Sequence, residues 1–104
     1  MVLERAEITI KPGMMGEFLK VFQSQALPLT ATYSGCLSFR AMQCVEYPDR
    51  VMFLAEWESI EAHRVSRLEP DHTQFRNLVL PFSAGGAETV HFTVIEPLPG
   101  GQPA

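Results

Sequence analysis

The chain is poor in the residues that announce a metal, a nucleotide or a polyanion. Its 104 residues include two cysteines, one tryptophan and three histidines. Cys36 and Cys44 lie in one extended segment, about 26 Å apart at roughly 3.3 Å per residue, too far to pair with each other. Cys-x-x-Cys and His-Glu-x-x-His are absent and the histidines are too dispersed for a zinc spacing, so no metal site is expected. No Gly-x-Gly-x-x-Gly or Walker A loop is present to cradle phosphates. Basic residues are scattered singly, 8 Lys and Arg against 12 Asp and Glu, and the net charge of −4 excludes nucleic acid as an expected partner. No apolar run approaches the roughly 18 residues of a membrane span, and the start Met-Val-Leu-Glu-Arg carries charge where a secretory signal is apolar, so a cytoplasmic protein away from membranes is expected.

What remains is a globular balance of 46% apolar and 19% charged residues, enough for one domain with a thin core. A domain of this size gains by sharing an apolar face, so a homodimer is expected. Residues 2–11 alternate as a strand, with Val2, Ala6, Ile8 and Ile10 on one side, until Pro12-Gly13 stops it. Met15, Phe18, Leu19, Phe22, Ala26 and Leu29 then recur at helical spacing, and Pro28 is expected to kink or shorten the last turn.

Gly35 opens a second extended run to Tyr47, with Leu37, Phe39, Ala41 and Val45 on one face and Cys36, Ser38, Arg40, Met42, Cys44 and Glu46 on the other. Pro48-Asp49-Arg50 reads as a turn before a strand from Val51 to Glu58. A three-residue loop keeps Val51, Phe53, Ala55 and Trp57 on the oily side and sends Met52, Leu54 and Glu56 to the mixed side, which avoids a buried carboxylate. Ser59 is an N-cap for a helix to about Leu68, and Pro70 opens a further helical segment carrying His72, Phe75 and Val79. After Ala84-Gly85-Gly86-Ala87, a fourth strand alternates Val90, Phe92 and Val94 with His91, Thr93 and Ile95. Residues 1–96 form a single domain in this reading, and 97–104 have the composition of a flexible tail.

The order is β-α-β-β-α-β, the ferredoxin-like α+β arrangement of a four-stranded antiparallel sheet with helices on one face. The oily faces pack under the helices. The other face, with Arg5, Arg40, Met42, Met52, Leu54, Glu56 and His91, is too apolar for open solvent and too polar for a core. A ligand cavity closed by a second subunit is expected there.

With these elements placed, the sequence resembles the antibiotic biosynthesis monooxygenase family, dimeric α/β barrels built from two ferredoxin-like sheets. The residues that carry the resemblance are Lys11-Pro12-Gly13, Ser34-Gly35-Cys36-Leu37, Phe53-Leu54-Ala55-Glu56-Trp57-Glu58-Ser59, Glu61-Ala62-His63, and then His72 and Phe75. It implies oxidation of a small electron-rich aromatic, such as a quinol, an anthrone or a polyketide-like compound, by dioxygen with neither flavin nor metal. A deprotonated substrate of this kind is itself a one-electron donor. The protein must then supply a base, an anion stabiliser and a dry pocket.

His72 and His63 match helical histidines of the family, and the resemblance makes them candidate catalytic residues with Arg40 as anion holder. The bland alternatives are a helix-terminal hydrogen bond for His72, an exposed or structural position for His63, and a cross-strand ion pair of Arg40 with Glu56. Glu56, Met42, Met52, Leu54, Phe75 and His91 are expected to contact substrate, although methionine at a dimer seam needs no ligand and a strand histidine is commonly a surface residue. Trp57 is assigned to core packing.

Heme-degrading relatives use a first-strand asparagine and a second-helix tryptophan, where this chain has Ala6 and His63, so heme degradation is disfavoured. A sugar-phosphate isomerase calls for a more basic pocket. The remaining alternative is a non-catalytic small-molecule-binding dimer.

Overall fold

A strand that meets Pro12-Gly13 has to turn there, and in the computed structural model, which describes residues 1–96, it does. Gly13 adopts φ 76° and the Met14 N–H donates to the Lys11 carbonyl at 3.1 Å. Strand β1 (Val2–Thr9) thus leads into helix α1 (Met15–Val21), a π turn (Phe22–Ala26) and helix α2 (Leu27–Thr30), which follow one another without a break. The π turn answers Pro28. Proline has no N–H to donate and its ring crowds the carbonyl four residues back, so the helix widens, the Leu27 N–H reaches the Phe22 carbonyl, and the helix continues. The rest comprises β2 (Cys36–Gln43), β3 (Arg50–Trp57), α3 (Ile60–Ser66), α4 (Pro70–Val79) with a closing 3-10 turn (Leu80–Phe82), and β4 (Glu88–Phe92). The strand order is β2-β3-β1-β4 with every pairing antiparallel, so the fold is ferredoxin-like. The tail at 97–104 lies outside the described residues. Among the described residues no helix is long and apolar enough to cross a membrane.

Register decides what each face carries. Ala6 lies opposite Phe53 and Ile8 opposite Val51, while Phe39 faces Ala55 and Ala41 faces Phe53, so the oily positions share the helix side. Glu56 falls opposite Ser38 on the open side, as the avoidance of a buried carboxylate requires. Trp57, Phe18 and Ile10 are no more than 2% exposed, and each such side chain stabilises the fold by about 1.5–3 kcal/mol. Phe22 stacks on Phe53 at 5.5 Å, and Phe75 meets Phe53 edge-on at 5.7 Å.

Three expectations fail in instructive ways. The β2–β3 register shifts between Cys36 and Ser38, which puts Cys36 opposite Trp57 and leaves Leu37 exposed. The cause sits one residue earlier: Gly35 has φ 75°, a Cβ there would come within 2.7 Å of the Ala62 Cβ on α3, and its carbonyl accepts from the Glu58 N–H at 2.9 Å. The hairpin loop is longer than three residues, so Val45 is exposed and outside β2. The Cys44 N–H closes that loop onto the Arg50 carbonyl at 2.9 Å, and the Arg50 guanidinium covers the Tyr47 ring at 4.2 Å. Most consequential is β4. Val90 pairs with Arg5 and Phe92 with Leu3 on the open face, while His91 pairs with Glu4 and turns toward the helices. This parity is opposite to the one its alternation predicts, because apolar residues occur on both faces of this sheet.

Candidate functional site

The helix side of the sheet and the helices α3 and α4 leave between them a cavity of about 310 Å³, at the small end of ligand-site volumes. The sheet contributes Glu4, Ala6, Phe39, Phe53 and Trp57, α3 contributes His63, and α4 contributes His72, Phe75, Arg76 and Val79; Tyr33 and Arg67 complete the main walls. Local rules put them there. Glu4 has the same strand parity as Ala6 and Ile8. Ser59 caps α3, its hydroxyl accepting from the Ala62 N–H at 3.0 Å, and this fixes the turn that carries His63 inward. Pro70 starts α4 and sets His72 and Phe75 three residues apart on its buried side.

Four flat rings make one wall. Tyr33 lies nearly parallel to Trp57 (6.1 Å, 13°), Trp57 to His63 (4.6 Å, 22°), His63 to His72 (5.8 Å, 17°) and His72 back to Tyr33 (4.9 Å, 19°). Stacked on one another, the four rings pack this wall with aromatic surface.

The polar groups form two sets. Glu4 Oε1 accepts from the Trp57 indole N–H at 2.9 Å and lies 3.3 Å from His63 Nε2, while His63 Nδ1 is 2.6 Å from His91 Nε2. A carboxylate only accepts, so the Nε2–H tautomer of a neutral His63 is the one that suits the nearby Glu4, and in that tautomer Nδ1 accepts from His91. The second set is His72, whose Nδ1 lies 3.4 Å from Ser66 Oγ and whose Nε2 is thereby the nitrogen left for a guest. Burial pushes the pKa of both His63 and His72 down to about 4. The charges of His91 and His72 add to this for His63, and that of Arg76 for His72, where the contact with Ser66 opposes the shift. Both rings are therefore uncharged at neutral pH. Burial raises the Glu4 carboxyl, against the hydrogen bond from Trp57, and also raises the Cys36 thiol, which disfavours a thiolate there.

The structure gathers some expected residues and separates others. His72, His63 and Phe75 share the cavity, and His91 reaches it through His63 rather than facing a second subunit. Arg40, Met42, Met52, Leu54 and Glu56 lie on the opposite face of the sheet, away from this cavity, which is formed within one chain. Glu56 accepts from Ser38 Oγ at 2.9 Å instead of pairing with Arg40. Sequence reasoning passed over Glu4, although its parity with Ala6 marked it, and Tyr33, Arg67 and Arg76, for which strand or helix periodicity gave no chemical cue. Among the described residues no three His, Cys, Asp or Glu side chains are arranged to hold a metal ion.

Known proteins share this framework. The family model described as antibiotic biosynthesis monooxygenase matches residues 1–78. YczJ, an uncharacterized protein of Bacillus subtilis (strain 168), is 35% identical over 63 residues, which span 61% of this chain and 65% of that protein, just under two thirds of its length. Among solved structures, a provisionally assigned antibiotic biosynthesis monooxygenase of Bordetella bronchiseptica superposes with a TM-score of 0.82 at 27% identity, covering 90% of this chain and 96% of that one. A mutant form of SnoaB, a cofactor-independent oxygenase of Streptomyces nogalater, gives 0.77 at 19% identity, covering 94% and 96%. At that identity the second likeness speaks to the fold alone.

Proposed function

The chain belongs to the antibiotic biosynthesis monooxygenase family, and from that premise we propose that it oxygenates a small electron-rich aromatic with dioxygen, without flavin or metal, in the cavity between sheet and helices. The observation that carries this is a neutral histidine, His72, set in an aromatic cavity with one ring nitrogen held by Ser66 and the other left for a guest. An uncharged imidazole can take the proton of an anthrone CH₂ or a quinol hydroxyl. The resulting anion gives one electron to dioxygen, and the radical pair recombines inside the cavity to form the new C–O bond as a peroxide. For an anthrone, one oxygen atom ends as the new carbonyl, and the other leaves as water with the two hydrogens of the CH₂. Arg67 and Arg76 in the cavity wall favour the anion, and the surrounding rings exclude water while it exists.

The reading includes a homodimer. The open face of the sheet carries Met42, Val90 and Phe92, which are 36%, 37% and 48% exposed, and a second copy laid on this face would cover them.

Oxygen uptake by metal-stripped protein supplied with a reduced naphthoquinol or an anthrone tests the reaction. Uptake above autoxidation is expected, reduced about 100-fold or more in His72→Ala, the usual scale for a general base. Rates equal to autoxidation across these substrates would overturn the oxygenase reading in favour of an isomerase or a binding protein.

A further inference from the structure

One polar atom in the cavity wall is unsatisfied. The Tyr33 hydroxyl is buried and has no hydrogen-bond partner among the described residues. Its ring is 6% exposed, lies parallel to His72 and Trp57, and meets Phe75 edge-on at 6.3 Å. A phenylalanine would fill the same space without the penalty of an unpaired buried hydroxyl. The hydroxyl is thus a cost to the empty protein that a guest can relieve. Burial and the neighbouring Glu4 carboxylate raise the phenol's pKa, so Tyr33 stays protonated and can act only as a donor to an incoming oxygen.

Resting on the reading of the cavity as a site for oxidisable aromatics, we propose that Tyr33 Oη is the donor that receives the guest's oxygen, so that the cavity selects planar aromatics bearing a phenolic, enolic or carbonyl oxygen over those without one. The stack places the Tyr33 ring beside that of the proposed base, with the ring centres 4.9 Å apart. A hydrogen bond to the oxygen is stronger once the oxygen is anionic, which lowers the pKa of the bound guest in the direction that His72 needs. Arg67 and Arg76 in the same wall add to that preference.

The test is equilibrium dialysis without oxygen, using 2-naphthol and naphthalene as probes against wild type and Tyr33→Phe, with the naphtholate absorption band read across pH. The expected result is binding of 2-naphthol about 10-fold weaker in Tyr33→Phe, as for loss of one hydrogen bond to a charged group, with naphthalene changed by less than about 2-fold. The bound probe should ionise at lower pH in wild type than in the variant, and the variant's thermal midpoint should equal or exceed that of wild type. Equal losses for both probes, no loss for 2-naphthol, no binding of 2-naphthol by wild type, or a lowered midpoint in the variant each overturn the proposal. Tyr33-dependent binding of 2-naphthol without oxygen uptake on naphthoquinol would overturn the oxygenase reading and leave this one standing. Oxygen uptake whose KM is unchanged by Tyr33→Phe would do the reverse.

Discussion

Acidification from pH 7 to about pH 4 is expected to remove a large fraction of the protein's stability. His63 and His72 are held neutral with native pKa values of about 4, whereas in the unfolded chain they titrate near 6.5. Between those values the unfolded state binds the protons that the native state refuses, so stability is complete above about pH 6.5 and declines as the pH falls toward 4. Two and a half pKa units correspond to roughly 3 kcal/mol for each ring at 1.36 kcal/mol per unit. Two such rings amount to a large fraction of the 5–15 kcal/mol typical of a domain. Glu4 works the other way: its raised native pKa means that the folded state holds a proton after the unfolded state has lost it, which offsets part of the loss low in the window. Urea midpoints at pH 7, 5.5 and 4.5 should fall steadily in wild type and more shallowly in His72→Phe. Equal midpoints at pH 7 and 4.5 would mean that the histidines are charged in the native protein.

Replacing Trp57 by alanine is expected to cost about 3–5 kcal/mol, the range for deleting a large aromatic from a packed interior. Trp57 is 1% exposed, stacks on His63 and Tyr33, and donates its indole N–H to Glu4. Its removal empties the middle of the ring stack and takes a donor from a buried carboxylate. Trp57→Phe separates the two effects. It keeps most of the packing and loses the hydrogen bond, so it should cost about 1–3 kcal/mol. Urea unfolding followed by circular dichroism measures both, and a loss below about 1 kcal/mol in Trp57→Ala would show that the ring stack is not part of the core.

β1 and β3 were legible because their apolar and polar positions alternate with strong contrast, and the faces this assigns to their side chains are those observed, although the β2–β3 loop is longer than the three residues expected. β4 was not, since Val90 and Phe92 suit the half-apolar open face as well as the core, and only hydrogen bonding to β1 fixes their parity. With His91 assigned to the open face, the chemistry is expected there, whereas the structure gathers His63, His72 and His91 on the other side of the sheet. Glu4 was obscured by the expectation that a carboxylate avoids the core, an expectation that holds for Glu56 and fails where an indole and an imidazole stand ready to partner the charge. Tyr33 sits in a turn, where no periodicity marks a side chain as inward.

The most direct test of the cavity as the ligand site is to titrate 2-naphthol, under argon, into protein carrying ¹⁵N-labelled tryptophan and histidine and ¹³C-methyl methionine. Met42 and Met52 are cross-strand partners on the open face and report on that surface, while Trp57, His63 and His72 report on the cavity. The expected result is a saturable shift of the Trp57 indole and of the His63 and His72 ring signals, with the Met42 and Met52 methyls unmoved. Shifts of Met42 and Met52 with Trp57 stationary would place the ligand between two sheets and contradict the site described above.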